Sequence, residues 1–283
     1  MDKYFSENNW YSGNLHSHSS RSDGGKTYAA AIDWYRQHGY DFLAITDHSI
    51  FGPSEKQGDF LVIAGIELPF HTVGLGLDGW NDGETPETRQ DEIDAIRDRG
   101  GLAVVAHPYW HSLSIPHLAS LEGYVGIEIY NSECDRLNGR GYSTVHWDYL
   151  LGEGLTVYGL AVDDIHWRHQ NEGLGWITVN AVERTQPAIL AAIRTGAFFA
   201  TQGPKIHQIE WNDDEITVYC SPCQRINLIS NGPAGRVIMA DTGPLEDATF
   251  DITPSMDYVR LECQDATGRI AWSNPIWPKK EGR

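Results

Sequence analysis

The chain of 283 residues carries 39 acidic against 21 basic side chains, a formal net charge of −18. A field of that sign opposes nonspecific binding to nucleic acid or to an anionic membrane, although locally bound cations would still admit a phosphate substrate. Hydrophobic residues at 41% suffice for a packed core of one large or two modest domains, and no apolar run approaches the ~20 residues a membrane helix needs.

In chain order, Met1 to Asn9 has no apolar leader, so a cytoplasmic location is expected, with the four cysteines as free thiols. Trp10 to Leu15 reads as a first strand. Thr27 to His38 reads as a helix that stops at Gly39, and Phe42 to Thr46 as a second strand. Residues 51–59, with two glycines and a proline, read as a loop; Val62 to Ile66 is a third strand and Thr72 to Leu77 a short extra one. Thr85-Pro86-Glu87-Thr88 predicts a helix start with Thr85 as cap, running to Arg99 and ended by Gly100-Gly101. Leu102 to Ala106, Gly126 to Tyr130, Thr156 to Val162 and Leu174 to Val179 complete seven strands, with helices over 143–152 and 185–195. Strands alternating with helices predict a parallel α/β arrangement.

Near Gly203-Pro204 the helical period disappears. Ile206 to Trp211, Glu215 to Cys220, Ile226 to Ser230, Arg236 to Ala240, Ala248 to Ile252 and Tyr258 to Cys263 are short alternating runs separated by turn residues. They predict a small antiparallel β-sandwich over residues 205–283, after a catalytic domain over 1–204. Cys220-Ser221-Pro222-Cys223 has no second pair beside it, so two partly buried thiols at a strand end are expected there and not a zinc site.

Five of the seven apolar runs share one feature: each ends in a histidine or a carboxylate. His16 and His18 follow the first strand, and a His-x-His pair places both imidazoles on one face of a strand. Thr46-Asp47-His48 ends the second and Gly65-Ile66-Glu67 the third, with His71 shortly after. His107-Pro108 ends the fourth, and Asp163-Asp164-Ile165-His166 the sixth. In a parallel barrel such positions converge on one mouth, and these side chains are ligands for transition ions.

This constellation resembles the PHP (polymerase and histidinol phosphatase) metal-dependent phosphoesterases over roughly the first 200 residues. The matching segments are His16-x-His18, Ser22-Asp23-Gly24, Thr46-Asp47-His48, Gly65-x-Glu67, His71, His107-Pro108 and Asp164-x-His166. Finer details are similar to the carbaryl-hydrolase-like branch: Ile129-Tyr130-Asn131, Trp147 to Leu151, the doubled Asp163-Asp164, Phe198 to Pro204 and Trp272 to Ile276. The resemblance implies a distorted seven-stranded (β/α) barrel and two or three divalent ions (zinc, manganese or iron). One ion would take His16, His18, Glu67 and Asp164; a second Glu67, His71 and His107; a third Asp23, His48 and His166. Glu67, Asp164 and His166 form the catalytic subset.

Asp47 and Asp163 stand beside ligands, where a carboxylate often receives the second N–H of a ligating imidazole. Asn131 ends a strand at the same mouth and could meet substrate or serve a turn. Arg21, Arg136 and Arg140 are candidate phosphate contacts, solvated loop charges being the blander reading. His111, His117, His146, His169 and His207 belong to no motif and read as ordinary polar residues. The expected activity is hydrolysis of a small phosphate ester by metal-activated water at a trinuclear site. Carbamate or carboxylic ester hydrolysis is the alternative, and a non-catalytic metal-binding scaffold the second. A small-molecule ester is the expected partner. A P-loop and a Gly-x-Ser-x-Gly elbow are both missing from the sequence, which removes NTPase and serine-hydrolase readings.

Overall fold

The computed structural model describes residues 1–81, 83 and 85–278. Buried apolar runs become strands as the sequence predicts, but they distribute between sheets in a way that pattern alone does not dictate. A ten-stranded sheet contains Asn9–Asn14, Phe42–Ala44 and Phe60–Ile63. A five-stranded sheet contains Tyr158–Val162, Gly126–Asn131, Leu102–Val105, Thr72–Leu75 and Gly65–Glu67, in that order. Of the distorted seven-stranded barrel expected, the strands are present but do not close into a barrel among the described residues. The two sheets meet instead through isolated bridges, Ser17 to Ile165 and His48 to Glu67, both at the strand ends that carry the ligand-type side chains.

The run predicted as one strand over 62–66 is two, Phe60–Ile63 and Gly65–Glu67, and Ala64 is where the chain passes between sheets. Its amide donates to the Gln186 Oε1 at 2.8 Å and its carbonyl accepts from Gly76 N at 2.7 Å, so neither backbone group is lost from a ladder without replacement. The sheets are also mixed, not purely parallel. Thr72–Leu75 runs antiparallel to both Gly65–Glu67 and Leu102–Val105, and Trp176–Ala181 runs antiparallel to Asn9–Asn14.

Helices follow their caps. Thr27 accepts from Ala30 N at the start of Tyr28–Gln37, and Thr185 from Ala188 N at the start of Gln186–Arg194. The expected cap at Thr85 is corrected: Thr88 caps, and the helix is Arg89–Asp98. Two short helices escaped the pattern, Ile115–Ser120 and Ser132–Asn138, because one or two turns carry too little periodicity to read.

The C-terminal strands do not stand apart. Ile270–Ser273 pairs with Phe198–Thr201, which continues the ten-stranded sheet into Arg260–Gln264, Arg225–Ile229 and Arg236–Met239. Ile206–Trp211, Glu215–Cys223 and Leu245–Asp251 form a second layer, edged by Asp2–Lys3 from the other end of the chain. Side chains of both layers share one core, including Ile216, Val218, Phe250, Leu228 and Leu261. Cys220 and Cys223 are fully buried there with a third free thiol, Cys263.

A buried cation pins this region to the helix Thr144–Gly152. The Arg260 guanidinium, 1% exposed, donates to both Asp148 oxygens at 2.7 and 2.8 Å and to Glu262 at 2.7 Å. Removing one partner of such a pair leaves a charge without compensation. Asp148→Ala is expected to destabilise the fold by about 3 kcal/mol, read as a lower urea midpoint with an unchanged denaturant slope. A midpoint within error of the parent would show that Glu262 alone suffices.

Candidate metal centre

Glu67 occupies the middle of the site because its strand ends between the two sheets. It is 1% exposed. Its Oε2 lies 3.3 Å from His16 Nε2, 3.4 Å from His18 Nε2 and 3.0 Å from His48 Nδ1. Its Oε1 lies 2.9 Å from His71 Nδ1 and 3.6 Å from His107 Nε2. One carboxylate thus faces five imidazoles. Burial alone would raise its carboxyl, but the His16 charge and hydrogen bonds from His107, His16 and His48 outweigh it and hold the group well below the usual carboxylate range.

His16, His18, Glu67 and Asp164 form the tightest group. Asp164 Oδ1 is 3.1 Å from His16 Nε2 and 3.0 Å from His18 Nε2, and the two imidazole nitrogens are 3.1 Å apart. A tetrahedral ion about 2.0–2.1 Å from each donor requires donors about 3.3 Å from one another. The imidazole–imidazole spacing and those from each imidazole to the two carboxylates, 3.0 to 3.4 Å, match that requirement, and His16, His18 and Glu67 together offer donors that could hold one ion. The second group brings His71 and His107 to the other Glu67 oxygen. The third joins Asp23, His48 and His166 to the far side of His18: His166 Nε2 is 3.3 Å and His48 Nε2 3.8 Å from the Asp23 carboxylate. All nine side chains expected at the mouth lie in one connected cluster.

Orphaned atoms make the same point. His18 Nδ1 and His107 Nδ1 are buried without a hydrogen-bond partner, although buried polar groups are almost always paired. Three of the residues hold left-handed backbone conformations, His71 (φ 59°), Asp164 (φ 52°) and His107 (φ 30°). Each costs on the order of 1 kcal/mol, and such strain clusters where a side chain must be aimed.

The surroundings correct several expectations. The residue that orients the first imidazole is Glu128, not Asp47 or Asp163. Glu128 Oε1 accepts from His16 Nδ1 at 2.6 Å, and its Oε2 accepts from His107 N at 2.9 Å and from Asn131 Nδ2 at 2.8 Å. Because His16 donates from Nδ1, its Nε2 lone pair faces the cluster. Burial lowers the His16 pKa, but Asp164, Glu128 and Glu67 outweigh it and the result stands well above the ordinary value. A single acid in the apolar strand Ile127-Glu128-Ile129 was the available signal, since a buried charge must find partners.

Asp47 instead ties the loop after His18, accepting from Ser19 N, Ser19 Oγ and Ser22 Oγ at 2.6–2.7 Å. Asp163 accepts from Tyr35 Oη and the amides of Gly173, Leu174 and Gly175 at 2.7–2.9 Å, and burial pushes its carboxyl up to about 6. Asn131 is fully employed. Its Nδ2 also donates to Asp164 Oδ2 at 3.0 Å, and its Oδ1 caps the helix Ser132–Asn138 through Cys134 N. Arg21 turns away to the Phe51 carbonyl, and Arg140 to Ser112.

The cluster opens into a cleft of about 320 Å³. Trp110 and Leu137 supply apolar walls, and Arg168 and His169 basic ones. His169, expected to be an ordinary polar residue, lines this cleft, and His111, read the same way, packs against His71 and His107 beside it. His169 Nδ1 is 2.6 Å from Glu133, which also lines the cleft. His111 stands against His71 with ring centroids 4.1 Å apart, and burial with the neighbouring imidazoles holds its pKa down to about 4.

The turn at His71 has its own support. Buried Glu92 accepts from Phe70 N at 2.7 Å, and Arg89 donates to the Phe70 carbonyl. Burial raises the Glu92 carboxyl from 4.5 to about 7. Protonation therefore favours the folded state: the contribution is complete below pH 4.5 and lost as the pH rises through about 7. Glu92→Gln stays neutral and keeps an acceptor for Phe70. In denaturation of the metal-free protein it should match the parent at pH 4 and exceed it by about 2 kcal/mol at pH 8. Equal stability at both pH values would contradict the assignment.

No protein-family model matches the chain, and no curated protein matches it. Among solved structures it is similar to a two-domain protein from Bacteroides vulgatus containing a predicted PHP-like metal-dependent phosphoesterase, with TM-score 0.57, 14% identity and 96% of each chain covered. An amidohydrolase from Chromobacterium violaceum aligns over 54% of this chain and 87% of its own, with TM-score 0.41 and 16% identity. A candidate metal-dependent phosphoesterase from Bifidobacterium adolescentis aligns over 56% and 88%, with TM-score 0.40 and 16% identity. At these identities the first likeness is one of fold. No helix among the described residues is long and apolar enough to cross a membrane.

Proposed function

We propose that the chain is a PHP-type metal-dependent hydrolase of small phosphate esters, holding up to three divalent transition ions in the cleft around Glu67. The observation that carries the reading is the convergence of nine imidazole and carboxylate side chains in one cluster, five of the imidazoles facing the shared Glu67 carboxylate and two of them, His18 and His107, with a buried nitrogen that no hydrogen bond satisfies. His16, His18, Glu67 and Asp164 hold the first ion, Glu67 with His71 and His107 the second, and Asp23, His48 and His166 the third. The shared fold with a protein containing a PHP-like phosphoesterase supports the family reading. Bound ions would supply an ionised water near neutral pH and a Lewis acid for the scissile group.

The remaining residues bind and orient. Glu128 fixes the tautomer of His16, and Asn131 fixes Asp164. His166 donates from Nδ1 to the Asp164 carbonyl at 2.9 Å, which leaves its Nε2 lone pair toward Asp23. Arg168 donates to the Asp23 carbonyl from the cleft wall and presents its remaining N–H groups to an anionic ester. Trp110 and Leu137 suit an apolar leaving group, and this wall favours the second reading, hydrolysis of a carbamate or carboxylic ester.

An aryl substrate panel on manganese- or zinc-loaded protein separates the two. Turnover of aryl phosphates above aryl carbamates and acetates is expected. Turnover confined to carbamates or acetates would replace the first reading by the second, and no turnover on any of them would leave a metal-binding scaffold.

A further inference from the structure

Beyond the nine side chains stands a tenth. We infer that His111 is a ligand of the second ion, completing with Glu67, His71 and His107 a four-donor set. This rests on the hydrolase reading above and extends it.

Each of His71, His107 and His111 offers a ring nitrogen within 4.8 Å of those of the other two, a grouping that could hold one ion as the rings turn toward it. The His107 and His111 rings stack at 5.5 Å, and the His71 and His107 rings lie 5.1 Å apart. His111 Nε2 is buried and has no hydrogen-bond partner. A buried ring nitrogen with no hydrogen-bond partner is free to offer its lone pair to a cation.

The backbone is arranged to bring the pair together. His111 N donates to the His107 carbonyl at 3.3 Å, so the segment Pro108-Tyr109-Trp110 closes a turn that places both imidazoles on one side. The turn is entered at His107 with φ 30° and left at Ser112 with φ 54°. Trp110 covers it, with its ring 4.9 Å from His111 and 5.2 Å from His107.

The chemistry follows from the donor set. Three neutral imidazoles and one shared carboxylate suit a late transition ion and disfavour magnesium or calcium, which prefer oxygen. Four protein donors also fill a tetrahedral ion, so the second position would be closed and hold its ion more tightly than a three-donor site. By the same count the first ion's four donors close it too, and a position open to water or substrate then belongs to the third ion, held by Asp23, His48 and His166.

Cobalt-loaded protein tests this without reference to turnover. Metal content after dialysis and the visible absorption of the bound cobalt are measured for the parent, His111→Gln and His111→Cys. His111→Gln should lose one ion per chain, or bind it roughly 10- to 100-fold more weakly, while the remaining cobalt spectrum persists. His111→Cys should keep that ion and add a thiolate-to-cobalt charge-transfer band absent from the parent. An unchanged metal content in His111→Gln with unchanged affinity on titration, or a retained ion in His111→Cys without the new band, overturns the inference and leaves the hydrolase reading intact. A parent chain that binds no cobalt overturns both.

Discussion

Glu67→Gln is expected to abolish turnover while leaving the fold intact. Both Glu67 oxygens are in use, Oε2 toward His16, His18 and His48 and Oε1 toward His71 and His107. Glutamine keeps the size but removes the charge and one acceptor oxygen, so it cannot serve two ions at once. Two dications sharing the site would repel with less compensation, and the occupancy of one should fall. Losing about 4 kcal/mol of transition-state stabilisation corresponds to about a thousandfold in rate. His38→Gln is the control, because His38 sits exposed at the end of the helix Tyr28–Gln37, its ring bonded to the Trp34 carbonyl and stacked on the Trp34 indole. Circular dichroism of the two variants should be superimposable. Near-parental turnover by Glu67→Gln on every responsive substrate would move the catalytic centre elsewhere.

Glu128→Gln comes second in expected effect, although Glu128 touches no position where a substrate could sit. Its two oxygens receive three N–H groups, from His16, His107 and Asn131, in a buried setting. Glutamine presents an amide N–H to one of those donors, so a hydrogen bond becomes a clash and His16 loses the partner that fixes its tautomer. Affinity for the ion at His16 should fall ten- to a hundredfold, the usual cost of removing a partner behind a ligating imidazole. Competition against a chromophoric chelator reads it directly. Because the ligands themselves remain, saturating metal should restore most of the rate. A rate that stays low at full occupancy would give Glu128 a role beyond orienting His16.

Much of the site was legible because it depends on one-dimensional features. A buried strand is an apolar run, its end is where polarity returns, and a ligand there sits at the mouth whichever sheet the strand joins. His16, His18, Glu67, His107 and Asp164 were all readable that way. Glu128 was not singled out because it lies inside its strand, where only an accounting of buried charge would raise it. His111 depends on a turn whose left-handed residues leave no mark in the sequence. The sheet partition was also hidden. The jump at Ala64 is decided by Gln186, and the edge strand Asp2–Lys3 by Glu210 and Trp211, contacts between segments far apart in the chain. The carboxylates of Asp47 and Asp163 have the type of side chain that supports a ligand, but the nearer amides and hydroxyls claimed them first.

The metal content of the chain itself tests the central claim most directly. Protein freed of metal, dialysed to equilibrium against micromolar zinc or manganese and analysed by elemental mass spectrometry should retain two or three ions per chain. Glu67→Gln should retain fewer under the same conditions. A parent protein that holds less than one tightly bound ion would contradict the account, since nine converging ligands and their orphaned atoms would then have no cation to explain them.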